Sequence, residues 1–335
     1  MLPDQFLFGV EVMLNGLMAG VLYALVALGF VLIFKASGVF NFAQGVFALF
    51  AALTLVGYQT GQIPFAHLIN DLFGTNYHTW YASMPNFLAI ILTVITMIAL
   101  AWVVERLVLK HLINQEPIIL FMATIGLAFV LEGVGSLMWG DDMKVLDVGI
   151  PSGGSDWLEQ ATIGLAAEGS EYYGMYIDKL NVWATVIAVI LVVSLALFSQ
   201  YTKTGRALRA VADDHQAALS VGISLRSIWI LVWSISGFIA MVAGIMWGSE
   251  SGVQFSLSLI ALKALPVLIL GGFTSIPGAI IGGLLIGVGE KLAEIYIGGY
   301  FETGALETWF AYVMALVFLL FRPQGLFGEK IIERV

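Results

Sequence analysis

Near its start the chain carries an uncharged stretch, GLMAGVLYALVALGFVLIF, at residues 16–34. A helix needs about 20 mostly apolar residues to cross the roughly 30 Å of hydrocarbon in a bilayer, so this stretch is long enough to span a membrane. Similar stretches, each with at most one charged residue, follow at residues 40–58, 84–104, 117–139, 180–201, 227–249, 252–289 and 304–321. The 252–289 stretch is long enough for two helices, and its cluster of turn-forming residues at 271–278 predicts the break. We therefore predict an all-α polytopic membrane protein with about eight to ten transmembrane or partly inserted helices.

The composition excludes other classes of protein. Of the 335 residues, 60% are hydrophobic and 11% are charged, and the mean hydropathy is +0.95. A soluble globular chain has about 25% charged residues, and a disordered one combines low hydrophobicity with high charge. The net charge of −9 argues against nucleic acid as a partner, and the absence of cysteine excludes disulfides and thiolate metal sites. Residues 1–335 are accordingly predicted to form one transmembrane domain.

The basic residues predict an orientation. Ten of the fourteen gather in four places: Lys35; Arg106 and Lys110; Lys203, Arg206, Arg209 and Arg226; and Arg322, Lys330 and Arg334. With nine crossings, all four places lie on one side, which the positive-inside rule makes the cytoplasmic side. The extended loop 140–179 then lies outside, and it carries eight acidic residues against two lysines.

Small residues recur at four-residue spacing, which lets membrane helices approach closely. We call these groups of small residues glycine notches. They are Gly16 and Gly20; Ser236, Ala240, Gly244 and Gly248; Gly278 and Gly282; and Gly283 and Gly287. We expect these faces to be helix contacts.

Two stretches, 37–45 and 271–278, break the helical pattern at membrane depth. Irregular backbone is tolerated there only where protein or a water-filled cavity covers it, and broken helices mark binding sites in many transporters. The candidates for a translocation pathway are Asn41, Phe42, Gln44, Thr274 and Ser275. Asn41 and Gln44 share a helix face, so hydrogen bonds between helices are the alternative interpretation.

The most informative loop is 200–227, which contains KTGRALRAVADDHQAALSVGI at residues 203–223. Its Ala-rich part, 206–221, favours a helix, and Gly222 is a natural helix stop. Because a short polar helix on the cytoplasmic side does not insert in lipid, it predicts a docking element for another protein.

Several motifs are missing. The chain has no G-x-x-x-x-G-K-[ST] loop for ATP and no H-E-x-x-H for zinc. The ionisable residues at membrane depth, among them Glu132, Lys263 and Glu290, do not make the acid chain expected of an ion-driven carrier. Two alternatives stay open: a secondary transporter or channel acting alone, and a membrane enzyme that uses the pairs Asp141-Asp142 and Asp213-Asp214.

The chain resembles the permease subunits of branched-chain amino acid ABC importers. The resemblance covers LNG…YALVALG (14–29), NFAQG (41–45), the loop 205–222 with Gln216-Ala217-Ala218 and Gly222, GGFTSIPGA (271–279) and RPQGLFG (322–328). Gln216 stands where the family's E-A-A-x-x-x-G loop has Glu, and the segments 60–83 and 140–179 are longer than is usual there.

This resemblance implies an ABC importer permease fold in the bacterial inner membrane, and a permease rather than an enzyme. It implies inward transport of branched-chain amino acids or similar small polar solutes. The implied partners are a second homologous permease, two cytoplasmic ATPases that carry the ATP and Mg, and a periplasmic solute-binding protein, with no cofactor on this chain. The implied ATPase-docking residues are Arg206, Arg209, Asp213, Gln216, Ala217, Ala218 and Gly222.

Overall fold

A computed structural model of the chain describes residues 4–74, 79–81, 83–112, 115–163, 174–300 and 306–328. Within these residues the structure is helical, and β-pairing is limited to three isolated bridges. The α-helices are α1 (Asp4–Ser37), α2 (Gln44–Thr60), α3 (Ala66–Phe73), α4 (Asn86–Leu107), α5 (Pro117–Trp139), α6 (Asp156–Ile163), α7 (Lys179–Tyr201), α8 (Lys203–Asp213), α9 (His215–Ser220), α10 (Leu225–Ser251), α11 (Ile260–Gly271), α12 (Ile276–Tyr296) and α13 (Leu306–Phe321). The all-α prediction is therefore confirmed.

The predicted apolar segments correspond to nine of the helices in the described residues. Six of these, α1, α4, α5, α7, α10 and α12, are long and apolar enough to cross a membrane. The other three, α2, α11 and α13, have 17, 12 and 16 residues. The break predicted at 271–278 is present, because α11 ends at Gly271 and α12 begins at Ile276.

Two segment bounds differ from the prediction. The helix that contains residues 16–34 begins much earlier, so α1 has 34 residues and a length of about 51 Å. The second segment, expected from residue 40, becomes helical only at Gln44. Asn41 causes this delay, since its Oδ1 accepts a hydrogen bond from the backbone N of Ala43 at 3.1 Å and so closes a turn before α2.

The chain divides into two compact units. Unit 1 comprises residues 1–27, 150–193 and 263–335. In unit 1 the predicted glycine notches are confirmed: Gly16 and Gly20 on α1 face Gly287 and Gly283 on α12. A Cβ atom at Gly20 would lie 2.6 Å from the carbonyl oxygen of Gly283, so the two backbones are in direct contact. α12 also packs against α13.

Unit 2 comprises residues 28–149 and 194–262. α10 is its centre, since it packs along both α2 and α4, and α2 in turn packs on α4 and α5. Gly244 of α10 lies against the backbone of Ala48, which confirms that part of the predicted small-residue stripe. Aromatic side chains fill the core, with Phe47 edge-on to Trp233 at a centroid distance of 5.8 Å.

The two ends of unit 2 carry different charges. At one end Arg226 forms an ion pair with Glu105, and α8 and α9 contact α10. The last turn of α1, which carries Lys35, reaches the same end, because Ser37 and Trp229 line one small cavity there.

At the other end of unit 2, the Gln59 side chain donates hydrogen bonds to Asn86 (3.0 Å) and to the carbonyl of Asp147 (2.9 Å). The backbones of Lys144 and Val253 are hydrogen-bonded to each other there. The basic loops of unit 2 thus share one end, and Asp141, Asp142 and Asp147 lie at the opposite end, as the charge pattern requires. Which end faces the cytoplasm stays a prediction. Lys330 and Arg334 lie outside the described residues.

Candidate functional site

The loop 200–227 begins with an amphipathic helix, α8. Its N-terminus is capped by Thr202, whose hydroxyl oxygen accepts a hydrogen bond from the backbone N of Gly205 at 2.9 Å. Gly205, Leu208 and Val211 recur every three residues and are buried on one face. Gly205 has to be glycine, because a Cβ atom there would overlap the backbone of Phe198 at the end of α7.

The single helix predicted over 206–221 is wrong, because the chain breaks at Asp214. This residue adopts an extended backbone, with φ −156° and ψ 114°. Its carboxylate oxygen accepts hydrogen bonds from the backbone N of Gln216 (2.8 Å) and of Ala217 (3.0 Å), which starts a second helix, α9. Gly222, with φ +84°, stops α9 as predicted, since that conformation favours glycine.

The structure brings the predicted docking residues together on this one segment. Arg206, Asp213, Gln216, Ala217 and Gly222 are exposed. Arg206, Asp213 and Gln216 thus present polar side chains on the surface of this segment.

Two of the predicted docking residues are less available. Arg209 is half-buried and donates a hydrogen bond to the carbonyl of Gln200 at 3.3 Å. Ala218 is buried and packs into unit 2. The sequence analysis missed two apolar neighbours, Leu219 and Val221, which are 51% and 74% exposed. We refer to α8, α9 and the following turn, residues 203–222, as the docking segment.

α10 connects the docking segment to the interior of unit 2. Its first turn is capped by Ser224, whose hydroxyl oxygen accepts from the backbone N of Ser227. Ser236 lies eleven residues after the first residue of α10, which is a distance of about 16 Å along the helix axis. α10 therefore runs from the end of the docking segment to Ser236 as one continuous helix.

Ser236 belongs to a buried polar cluster that joins three helices. Its hydroxyl lies 2.7 Å from Oε1 of Gln44 on α2 and 3.2 Å from the carbonyl oxygen of Gly29 on α1. Nε2 of Gln44 donates in return to the carbonyl of Ser236 at 3.2 Å. We call Gly29, Asn41, Gln44 and Ser236 the amide cluster.

Two of the predicted pathway residues, Asn41 and Gln44, belong to the amide cluster. Asn41 and Gln44 are 0% and 1% exposed, and Nδ2 of Asn41 lies 3.5 Å from Oε1 of Gln44. In this conformation Gln44 bonds Ser236 on α10, which favours the interhelical alternative for Gln44, whereas the Asn41 side chain bonds Ala43 and Gln44 at the start of α2. Phe42 is half-buried, and its backbone N donates to the hydroxyl of Thr124 at 3.1 Å.

The other two pathway candidates, Thr274 and Ser275, lie in unit 1, in the turn between α11 and α12. Both are half-buried. The hydroxyl oxygen of Ser275 accepts from the backbone N of Gly278 at 3.0 Å and caps α12. The turn is tight, because Gly271 and Gly278 are in backbone contact. The structure therefore gives Ser275 a structural role, and the pathway role of both residues stays a prediction.

Unit 1 also contains a buried polar group. It brings together Glu290 and Lys263, two of the ionisable residues that the sequence places at membrane depth. The Tyr23 hydroxyl donates to Oε1 of Glu290 at 3.2 Å, and both residues are buried. The Lys263 ammonium lies 5.9 Å from the centroid of the Tyr23 ring. Sequence analysis missed Tyr23, because its contact with Glu290 joins residues 267 positions apart.

The aspartate pairs do not form an acidic site. Asp214 is used as a helix cap, and Asp141 accepts a hydrogen bond from Ser136. Asp142 lies near Lys144, whose pKa is lowered by burial and partly restored by that carboxylate. Across the described part of the chain, no three His, Cys, Asp or Glu residues are grouped as a metal site would need.

Comparison with known proteins places these features in a family. Residues 12–322 match the family model described as the branched-chain amino acid transport system permease component. The chain is 28% identical to the high-affinity branched-chain amino acid transport system permease protein LivH of Salmonella typhimurium, over 100% of both chains.

Other relatives agree. The permease protein BraD of Pseudomonas aeruginosa is 26% identical, over 96% of this chain and 97% of its own. The probable LivH permease of Methanocaldococcus jannaschii is 29% identical over 92% and 89%. A solved structure, PsaBC from Streptococcus pneumoniae in complex with Fab, aligns with 92% of this chain and 91% of its own at 13% identity and a TM-score of 0.43.

Proposed function

Because the chain belongs to the family of branched-chain amino acid transport system permease components, we propose that it is the membrane-spanning permease subunit of an ATP-driven ABC importer. Its solutes are branched-chain amino acids or similar small polar molecules, which it carries inward. The chain is a multi-pass membrane protein, and its relatives are transport permeases. The proposed location is the bacterial inner membrane.

The observation that supports this proposal best is the docking segment. It is too polar to enter lipid, it lies at the basic end of unit 2, and it exposes Ala217, Leu219 and Val221 between polar residues. Exposed apolar side chains on a short, capped helix suit a protein partner. The partners that fit are two cytoplasmic ATPases that bind ATP and Mg, and we propose Arg206, Arg209, Asp213, Gln216, Ala217, Ala218 and Gly222 as the residues that position and form their contact.

The helix that follows the docking segment suggests how force reaches the passage. α10 begins three residues after Gly222 and carries Ser236 into the amide cluster, where its hydroxyl lies within hydrogen-bond distance of α1 and of α2. A movement of the docking segment on ATP binding would shift Ser236 against Gln44. Because the amide cluster adjoins the irregular stretch 37–45, this shift would change the packing of that stretch.

The remaining partners of the proposed importer are a second, homologous permease and a periplasmic solute-binding protein. The acidic loop 140–179 is their proposed meeting place on the outer side. Specificity is expected to come from the binding protein, so this chain needs a passage rather than a tight pocket.

Uptake by reconstituted vesicles tests the proposal. The chain is purified with a candidate second permease, ATPases and binding protein from the same organism, and uptake of labelled leucine is followed with and without internal ATP. We expect uptake only with ATP and with all subunits present. Uptake by this chain alone, driven by an ion gradient, would contradict the proposal and support a secondary transporter.

A matched pair of variants tests the docking segment in the same assay. Ala217→Arg places a bulky charge on the exposed face of α9 and is expected to abolish ATP-driven uptake. Met143→Arg places the same side chain at the opposite end of unit 2, where Met143 is 60% exposed, and is expected to leave the ATPase bound. Equal ATPase binding by both variants would contradict the assignment.

A further inference from the structure

Glu105 is a buried carboxylate that the proposed transport path does not use. It lies near the end of α4, in unit 2, and its side chain is 1% exposed. Oε1 lies 3.2 Å from Nε of Arg226, in the first turn of α10, whose side chain is 46% exposed. Apart from this ion pair, neither oxygen of Glu105 makes a hydrogen bond with the described residues. Among the described residues, Arg226 is therefore the one cation paired with this carboxylate.

Such a pair is intolerant of change. The carboxylate of Glu105 is buried and Arg226 is half-exposed, so losing Arg226 leaves an uncompensated buried charge, which is unfavourable. The intact pair adds little net stability over apolar residues of similar volume, so its main effect is on the arrangement of the two helices. Glu105 and Arg226 hold the last turn of α4 against the first turn of α10.

Packing next to the pair is incomplete. Leu109, one turn beyond Glu105, and Trp229, one turn beyond Arg226, line a small cavity. The indole Nε1 of Trp229 is buried and has no hydrogen-bond partner among the described residues. A small void therefore lies beside the pair, and in the described part of the chain Glu105 and Arg226 provide the charged contact between these two helix ends.

The position of the pair links it to the docking segment. Arg226 follows Gly222 by four residues and the helix cap Ser224 by two, so it is the first ionic contact after α9. α10 packs along α4 for much of its length. We propose that the Glu105–Arg226 ion pair is the positioning link through which movement of the docking segment is transmitted to α4 and α10 together. This inference rests on the proposed function and adds residues to its mechanism.

The link predicts uncoupling when the pair is broken. Glu105→Gln and Arg226→Gln are each expected to lower the amount of leucine taken up per ATP hydrolysed by about tenfold, within the range by which residues between two sites change their coupling. The charge-swapped double variant Glu105→Arg/Arg226→Glu is expected to recover a large part of this ratio. Glu294→Gln is the control, since it removes a partly exposed pair with Lys291 at 2.9 Å within α12 and is expected to leave the ratio unchanged.

Hydrogen exchange on the purified chain provides the second readout. Glu105→Gln is expected to speed exchange at the backbone amides of α9 and of the first turn of α10, with no change at α12. Unchanged exchange at α9, or a loss of assembled complex with a normal uptake-to-ATP ratio in the complex that remains, would overturn the positioning role. Because the exchange experiment needs no partner, it decides this inference even if the wild-type complex shows no ATP-driven uptake, a result that would count against the proposed function instead.

Discussion

Ser236→Ala tests the amide cluster at its centre. The substitution removes only the hydroxyl group that lies between Gln44 of α2 and the carbonyl of Gly29 of α1, and it leaves the α10 backbone bond to Gln44 in place. A serine hydroxyl has one proton, so one strong hydrogen bond is lost rather than two. The Gln44 carbonyl is left with the 3.5 Å contact to Asn41.

The magnitude follows from this count. Side-chain hydrogen bonds between membrane helices contribute about 0.6 kcal/mol on average and about 1.7 kcal/mol at most. Ser236 is 1% exposed, so water cannot replace the lost partner, and the loss lies in the upper half of that range. We expect the free energy of unfolding to fall by about 1 kcal/mol, which is roughly a fivefold change in the unfolding equilibrium.

Unfolding by dodecyl sulfate in mixed micelles, followed by circular dichroism, measures this change. Ser234→Ala is the matched control, because Ser234 lies on the same helix but donates to Ile230 within its own turn at 2.7 Å. We expect the control to change the free energy of unfolding by less than about 0.5 kcal/mol, as substitutions without a partner on another element do. Equal losses for the two serines, or no loss for Ser236→Ala, would refute the reasoning.

Other substitutions test other contacts. Gly283→Val puts a Cβ atom 2.6 Å from the carbonyl of Gly20, so the free energy of unfolding should fall by about 1–3 kcal/mol; Gly126→Val, which meets nothing within 4 Å, should not reproduce this fall in the same assay. In Gly222→Ala the new methyl group meets no atom within 4 Å, but the backbone at φ +84° is strained by about 1 kcal/mol. The rate of amide hydrogen exchange in α9 should rise, and an unchanged rate would argue against that strain. Asn41→Leu removes the acceptor that closes the turn before α2; initial uptake rates should fall while the subunits still co-purify, and normal rates would leave Asn41 a packing role only.

The helices could be predicted because their signals are local. Uncharged windows of membrane length, glycine notches and the Gly/Pro cluster at 271–278 are each visible within one continuous stretch of chain, and the structure reproduces all three. The preference of glycine for positive φ also explains why Gly222 ends α9.

The contacts that distinguish the site depend on tertiary packing. Glu105 lies one residue beyond an uncharged window and beside Arg226 only in the fold, so its burial was missed. The break at Asp214 was missed because the Ala-rich stretch 206–221 favours a single continuous helix. Ala218 was grouped with the exposed docking residues, since the sequence alone does not show which side of α9 faces α10.

The most direct test of the account asks which surface the ATPase touches. Ala217→benzoylphenylalanine and Met143→benzoylphenylalanine place the same photoreactive side chain at opposite ends of unit 2 in the assembled complex. Irradiation is predicted to join the ATPase to this chain from position 217 and not from position 143. An ATPase adduct from position 143, or none from position 217 in a complex that still takes up leucine with ATP, would contradict the account.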